Sequence, residues 1–361
     1  MIMAKADTEH IFTPGPVRIP QYILEIGTIQ PPYFRTDEFS ALVLECERLL
    51  LGLAAAPSGS RVVFLTASGT GAMEASVANL LSSGDRAIVV NGGGFGQRFA
   101  DLCRQYGVTT SEYIPDGDNL GDTICLNAYS PADALLVNAH ETTTGVLYNL
   151  TALGKFCRAH GLLYIVDAIS MFMTDELDMF AQAIDALIIS SHKGLALPPG
   201  MSMVILSPRA QGRLRTCGVP LYFNFADYLR DGDRGQTPYT PAVTVMFQLQ
   251  ARLRKVAAVG IATEIARAER MATYFRAAAA ELPLAFFSRF MPNAMTALTP
   301  TDGRMAWSLV DALCERYRIH VAPNGGNLRN SVFRVAHMGD QDVEQIDILI
   351  NALNDFYGKR V

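Results

Sequence analysis

Six short runs of nearly unbroken apolar residues constrain this chain more than any other feature. They read "RVVFLTA" (61–67), "RAIVVNG" (86–92), "DALLVNA" (133–139), "LLYIVDA" (162–168), "DALIISS" (185–191) and "MSMVILS" (201–207). A strand with one wet face alternates polar and apolar residues. These do not, so they predict strands buried on both faces, as in a mostly parallel sheet. Between them lie amphipathic helical patterns over 71–82, 96–107 and 149–161, the last two stopped at Gly107 and Gly161, residues suited to a left-handed turn. Repeated β–α units place helices on both sheet faces and ligands at the carboxyl ends of the strands.

After "TPYTPAVT" (237–244) the texture changes to a long Ala/Arg-rich helical pattern over 243–280, then to a smaller α/β segment. The expected organisation is a loop-like N-terminal segment over 1–30 packing on the small domain and the active site, a large domain over 31–255, and a small C-terminal α/β domain over 256–361. At 361 residues the chain has ample material for both domains. Half of it is hydrophobic and only 18% charged, which suits a fold with much of its surface hidden, including in an oligomer. A net charge of −5 and no Lys/Arg-rich block argue against nucleic acid. The run "LLYIVDAISMFM" is broken by Asp167 and is too short for a membrane helix. The N-terminus lacks the apolar core of a signal peptide. Cys46, Cys103, Cys125, Cys157, Cys217 and Cys314 form no CxxC pair, so reduced thiols in a cytoplasmic protein are expected, with no metal site.

Four features fall where strands should end. In "TASGTGAMEA" (66–75) a strand runs into Ser68-Gly69-Thr70 and a helix follows at once. Small residues and free helix N-terminal N–H groups suit an anion, although an ordinary strand-to-helix turn with a Ser or Thr cap reads the same way. Asp167 closes a fully apolar strand, where an unpartnered carboxylate is costly to bury. Lys193, in "SSHKGLALPPG" (190–200), leaves the next apolar strand. Desolvation there would lower its pKa and free the amine for carbonyl chemistry, whereas a surface lysine would only snorkel. Phe95, among the glycines of "NGGGFGQR" (91–98), could stack on a flat ligand or simply pack. Together they ask for a flat ligand carrying a phosphate, a ring nitrogen that wants a carboxylate and an aldehyde that wants a lysine. Pyridoxal 5′-phosphate meets all four demands.

On these motifs, with "TPGP" (13–16), "YFRTDEF" (33–39), "HETTTGVL" (140–147), "TPYTPAV" (237–243) and "FRVAHMGD" (333–340), the chain resembles the class V, fold-type I, pyridoxal-phosphate-dependent aminotransferases. Within them it is most similar to the 2-aminoethylphosphonate:pyruvate transaminases and their alanine–glyoxylate relatives. The resemblance implies a mostly parallel seven-stranded sheet flanked by helices in the large domain. Lys193 is implied to bond the cofactor aldehyde, and Asp167 to pair with the ring nitrogen. Phe95 is implied to stack on the ring. Ser68, Gly69, Thr70 and His192 would hold the phosphate, and Thr143 would approach the ring hydroxyl. Thr240 would reach the cofactor of a neighbouring subunit, making a homodimer with shared sites. Arg334 would bind the substrate anion. His192 departs from the usual amide at its place, and "GGG" from a more usual lead-in to the aromatic.

A phosphonate dianion would welcome a second cation; Arg35 is the candidate, with His337 behind it. The implied reaction is ping-pong amino transfer between 2-aminoethylphosphonate, or its aldehyde, and pyruvate or alanine. Alanine– or serine–glyoxylate transamination uses the same apparatus, as does a lyase or epimerase with other pocket walls. A non-catalytic cofactor-fold protein would not need the full set of Lys193, Asp167 and Arg334.

Overall fold

The computed structural model of the chain describes residues 9–115, 125–129 and 131–358. Along the chain its strands are β1 (His10–Phe12), β2 (Arg61–Leu65), β3 (Arg86–Val90), β4 (Thr109–Tyr113), β5 (Ala134–Asn138), β6 (His140–Glu141), β7 (Val146–Leu147), β8 (Leu163–Asp167), β9 (Ala186–Ser190) and β10 (Ser202–Leu206). β11 (Leu284–Phe286), β12 (Met295–Pro300), β13 (Ile319–Pro323) and β14 (Phe333–Ala336) follow.

The large sheet has seven strands in the order β2-β10-β9-β8-β5-β3-β4, parallel except for β10, which runs against both neighbours. All six apolar runs lie in it, and the core shows why they do not alternate. Val62, Ile88, Leu135, Tyr164, Leu187 and Met203 face one hydrophobic cluster. Their chain neighbours Val63, Ala87, Leu136, Leu163, Ile188 and Val204 face a second. Helices Asp37–Leu53, Leu150–His160 and Val243–Val259 cover the first side, and Gly69–Leu80, Gly94–Gln105 and Phe225–Gly232 the other. β4, "TTSEY", carries no apolar run. It is the edge strand, paired only with β3 and partly exposed, so it has no need of one.

Two features differ from the sequence reading. The helical pattern over 243–280 is two helices, Val243–Val259 and Ile261–Ala279, broken at Gly260, whose φ of 84° lies in the left-handed region. The first thirty residues are not only loop: β1 pairs in parallel with β13, and Gln21–Ile26 is a helix against Val243–Val259. β1 thereby joins the second sheet, ordered β1-β13-β14-β12-β11, whose core packs on Ile261–Ala279, Ala306–Tyr317 and Val343–Phe356. Across the break, Arg252 grips Glu264 with both terminal nitrogens at 3.0 and 2.9 Å, and its Nε donates to the carbonyl of Leu195 at 3.1 Å. A buried ion pair thus ties the helix Ile261–Ala279 to the loop after Lys193.

Of the cysteines, Cys46, Cys103 and Cys157 are buried and Cys217 and Cys314 exposed; the side chain of Cys125 lies outside the described residues. Among the described residues no helix is long and apolar enough to cross a membrane.

Candidate active site

The parallel strands deliver their carboxyl ends to one rim. Asp167 is the last residue of β8, Lys193 lies three residues beyond β9, the Ser68 turn follows β2, and Phe95 opens the helix after β3. A cavity of about 230 Å³ forms there, lined by Ser68, Gly69, Thr70, Phe95, Asp167, His192 and Lys193. Seven of the predicted residues thus converge on one space. Gly15, Met73, Arg98, His140, Thr142, Ile169 and Ser170 complete its wall.

Lys193 is held by a tight loop. The amides of Ala196 and Leu197 donate to the carbonyls of Lys193 and Ser191, and Ser191 Oγ donates to the Pro198 carbonyl at 2.6 Å. A Cβ on Gly194 would stand 2.1 Å from the Phe172 carbonyl oxygen, so only glycine lets the two backbones approach this closely. Lys193 is 7% exposed. Burial pulls its pKa down to about 8; the Asp167 carboxylate opposes that shift and the Arg334 cation adds to it. Near neutral pH a useful fraction is therefore the free base. Asp167 is 5% exposed. Burial pushes it up to about 7, against the Ile169 amide, which donates to Oδ1 at 2.8 Å, and against Lys193. Oδ2 is left for a partner in the cavity.

The helix Gly69–Leu80 begins at Ser68, which makes no side-chain capping bond, and its first turn holds no acidic residue. An ordinary cap would have spent the Ser68 hydroxyl on the helix; here hydroxyl and helix N-terminus both remain for an anion. Arg98 donates to Thr70 Oγ1 at 2.9 Å and lies 4.8 Å from the Phe95 ring centroid. His192 Nδ1 and Ser190 Oγ are 3.0 Å apart. Burial and then Lys193 lower the imidazole to about 4, so it is neutral at pH 7 and its charge does not switch near neutrality.

Five predicted residues do not line the cavity. Thr143 turns away: Gly94 N–H donates to its Oγ1 at 2.8 Å, and its hydroxyl donates to Glu141. Thr142 takes the cavity position, with its Oγ1 3.0 Å from Ser170 Oγ. Arg35 donates to Gln236 Oε1 at 3.0 Å and the Thr237 carbonyl at 2.7 Å, and lies over Phe34. His337 is buried just after β14, 2.8 Å from Thr296 Oγ1 and packed on Phe275, where burial keeps it neutral. Thr240 is exposed on this chain, outside the cavity. Arg334 stands just behind the wall. It donates to the Thr142 and Pro323 carbonyls at 3.1 and 2.6 Å, while its buried Nε has no protein partner.

Sequence reasoning missed Glu141, although it lies in the quoted "HETTTG". Its buried carboxylate accepts from the amides of Phe95 (3.2 Å), Gly96 (3.1 Å) and Thr143 (3.1 Å) and from Asn138 Nδ2 (3.1 Å). It thereby caps the helix carrying Phe95 and Arg98, with its charge at the favourable end of the dipole. A Cβ on Gly93 would stand 2.7 Å from Glu141 Cδ, which accounts for the unusual glycine run. Glu141→Ala should lower stability by about 3 kcal/mol by orphaning these donors, with Glu141→Gln intermediate. Denaturant titration checks it; equal midpoints for all three proteins would contradict the capping role.

These groups fit pyridoxal 5′-phosphate: an uncapped helix N-terminus with hydroxyls, an aromatic face, a buried carboxylate with one oxygen uncommitted, and a partly neutral amine. Comparison with known proteins agrees. The aminotransferase class-V family matches residues 33–329. A soluble hydrogenase small subunit of Synechococcus sp. (strain PCC 6716) is 32% identical over 350 residues, spanning 93% of this chain and 90% of its own. The L-aspartate–glyoxylate aminotransferase of Paracoccus denitrificans is 27% identical over 345 residues, spanning 91% of this chain and 86% of its own. The crystal structure of an alanine–glyoxylate aminotransferase from Nostoc sp. superposes with a TM-score of 0.88 at 25% identity, covering 96% of this chain and 95% of that one.

Proposed function

Because this chain belongs to the class-V aminotransferases, we propose that it moves an amino group between a small α-amino acid and a 2-oxo acid of the glyoxylate or pyruvate type. It is a transaminase dependent on pyridoxal 5′-phosphate. When bound, that cofactor supplies an aldehyde carbon for amines and an electron-withdrawing ring. The chain supplies the rest. Ser68, Gly69, Thr70 and a neutral His192 would hold the phosphate, and Phe95 would cover the ring. Asp167 Oδ2 would keep a proton on the ring nitrogen. Lys193 Nζ would take the proton from the donor carbon. Arg334, whose Nε lacks a protein partner, binds the substrate carboxylate.

The observation that carries the substrate choice is the partnerless Nε of Arg334, a cation near enough to Lys193 to lower its proton affinity. One carboxylate satisfies it, and the glyoxylate aminotransferase relatives act on such acids. A phosphonate dianion would favour a second cation, and Arg35 is engaged elsewhere by Gln236 and Thr237. Transfer between 2-aminoethylphosphonate and pyruvate stays as the second reading, supported by "ETTTG" and by Arg98, a further cation on the cavity wall. The test is a panel of alanine, serine, aspartate and 2-aminoethylphosphonate, each scored for conversion of the bound cofactor to its amine form and for product with glyoxylate and pyruvate. Arg334→Ala should raise KM for the preferred carboxylate by about 100-fold with a smaller change in kcat. Turnover of 2-aminoethylphosphonate alone would reverse the order of the two readings.

A homodimer with shared sites belongs to the same proposal. Thr240 is exposed, as a group reaching a neighbour's cofactor must be, and Tyr33 and Leu221 are large apolar side chains 69% and 77% exposed. A cytoplasmic setting, suggested by the unpaired cysteines, is part of it too.

A further inference from the structure

The four groups proposed to hold the phosphate, Ser68, Gly69, Thr70 and His192, bring no charge of their own near neutral pH. Burial and then Lys193 lower the His192 imidazole to about 4. A phosphate monoester carries about −1.5 to −2 charges at pH 7. The N-terminus of the helix Gly69–Leu80 offers only about +0.5 of a charge against it. An anion held there asks for a cation. Two cations line the cavity, Lys193 and Arg98, and Lys193 is needed for the aldehyde.

Arg98 follows Phe95 by three residues on the helix Gly94–Gln105, so the two side chains share one helix face. Its guanidinium lies 4.8 Å from the Phe95 ring centroid, and Nη1 donates to Thr70 Oγ1 at 2.9 Å. Among the described residues Arg98 forms no ion pair, and its Nε and Nη2 have no protein acceptor. A hydroxyl that accepts from an arginine has its one proton left to give. Among the described residues no protein group takes the Thr70 proton. Arg98 also lowers the proton affinity of Asp167, but as the weakest influence there, after burial, the Ile169 amide, Lys193 and Glu141. Its one direct polar contact is therefore at the helix end beside Ser68, and not at Asp167.

Resting on the aminotransferase reading, we propose that Arg98 is a positioning residue for the cofactor phosphate. It fixes the Thr70 hydroxyl with its proton towards that anion and supplies the countercharge that the neutral ligands lack. A substrate phosphonate presents similar oxygens, but the link to Thr70 ties Arg98 to the helix end proposed for the cofactor.

Uptake of pyridoxal 5′-phosphate and of pyridoxal by cofactor-free protein tests this, because the two share ring and aldehyde and differ in the phosphate. Arg98→Gln should weaken pyridoxal 5′-phosphate about 30-fold and pyridoxal by less than about threefold. Arg98→Lys, which keeps the charge, should lose less than about tenfold for the phosphorylated ligand. Phosphorus-31 spectra of the bound cofactor give a second readout. The wild-type signal should stay fixed from about pH 6 to 8, and that of Arg98→Gln should move as the phosphate takes up its second proton. Near-normal pyridoxal uptake shows that the variant is folded; should Arg98→Gln not fold, the same two readouts on Arg98→Lys decide. Equal losses for the two ligands would reduce Arg98 to a support for Phe95 and overturn the proposal. So would unchanged uptake of both, and a raised KM for 2-aminoethylphosphonate alone would then give Arg98 to the substrate. Wild-type protein that takes up neither ligand would instead overturn the reading on which the proposal rests.

Discussion

Lys193→Ala should abolish amino transfer, with kcat falling on the order of 10⁴-fold. On the proposed reading the side chain has two roles: it would be the amine that bonds an aldehyde carbon and the base that takes the proton of the donor carbon. The other cavity bases are spoken for: His192 contacts Ser190, and His140, like His192, is held neutral with a very low proton affinity. Burial lowers Lys193 to about 8 in the cofactor-free chain, so the rate at which that chain captures an added aldehyde should rise with pH towards that value as the free base accumulates. The variant should keep its fold, because the loop is held by backbone bonds and by Ser191. A small primary amine added to the medium should restore part of the rate. A variant within tenfold of wild type at saturating substrate would remove Lys193 from the chemistry.

The second large effect is at Asp167. Asp167→Asn should lower kcat by about 10³-fold, since an amide cannot hold a proton on the ring nitrogen as a carboxylate does. The same change should stabilise the protein once the cofactor has been removed. Burial raises the folded-state pKa from 3.8 to about 7, so the folded chain binds this proton more tightly than the unfolded chain. Stability contributed by the protonated carboxyl is present below about pH 4 and is lost as pH rises to about 7. Asparagine suffers no such loss. Asp167→Asn should therefore gain on wild type progressively across that window, reaching on the order of 3 kcal/mol at pH 7. Thermal melts of cofactor-free protein at pH 4.5 and 7.5 check the sign. A gain that shrinks with rising pH would mean that Lys193, and not burial, governs the carboxylate.

The two effects together describe a site that sacrifices stability for chemistry. A buried acid and a buried amine are each pushed towards neutrality by the low-dielectric wall, with burial the leading cause for both. Each only partly relieves the other, and both are suited to a ligand that brings the missing charges.

Much of the site was readable because its chemistry sits in unusual residues at strand ends. Asp167 and Lys193 interrupt apolar runs, Ser68-Gly69-Thr70 bridges a strand and a helix, and Phe95 stands among glycines. Such breaks in pattern survive without coordinates. Thr143, Arg35 and His337 misled for a common reason: each is the right residue type, near the right motif, with its side chain committed elsewhere. One residue of hairpin register decides between Thr142 and Thr143. Gln236 and Thr237, 201 and 202 residues away, occupy Arg35. Glu141 carries the complementary lesson. It was in view inside "HETTTG", but its role depends on a helix brought from a distant part of the chain.

The sequence by itself determined the two-sided burial of the sheet, the β–α order and the kind of chemistry, because hydrophobic period and breaks in it are local properties. Only the tertiary structure decided which side chains share the cavity, how far burial moves their proton affinities, and which donors lack partners. Those depend on side-chain direction and on contacts between segments hundreds of residues apart, which no local pattern encodes.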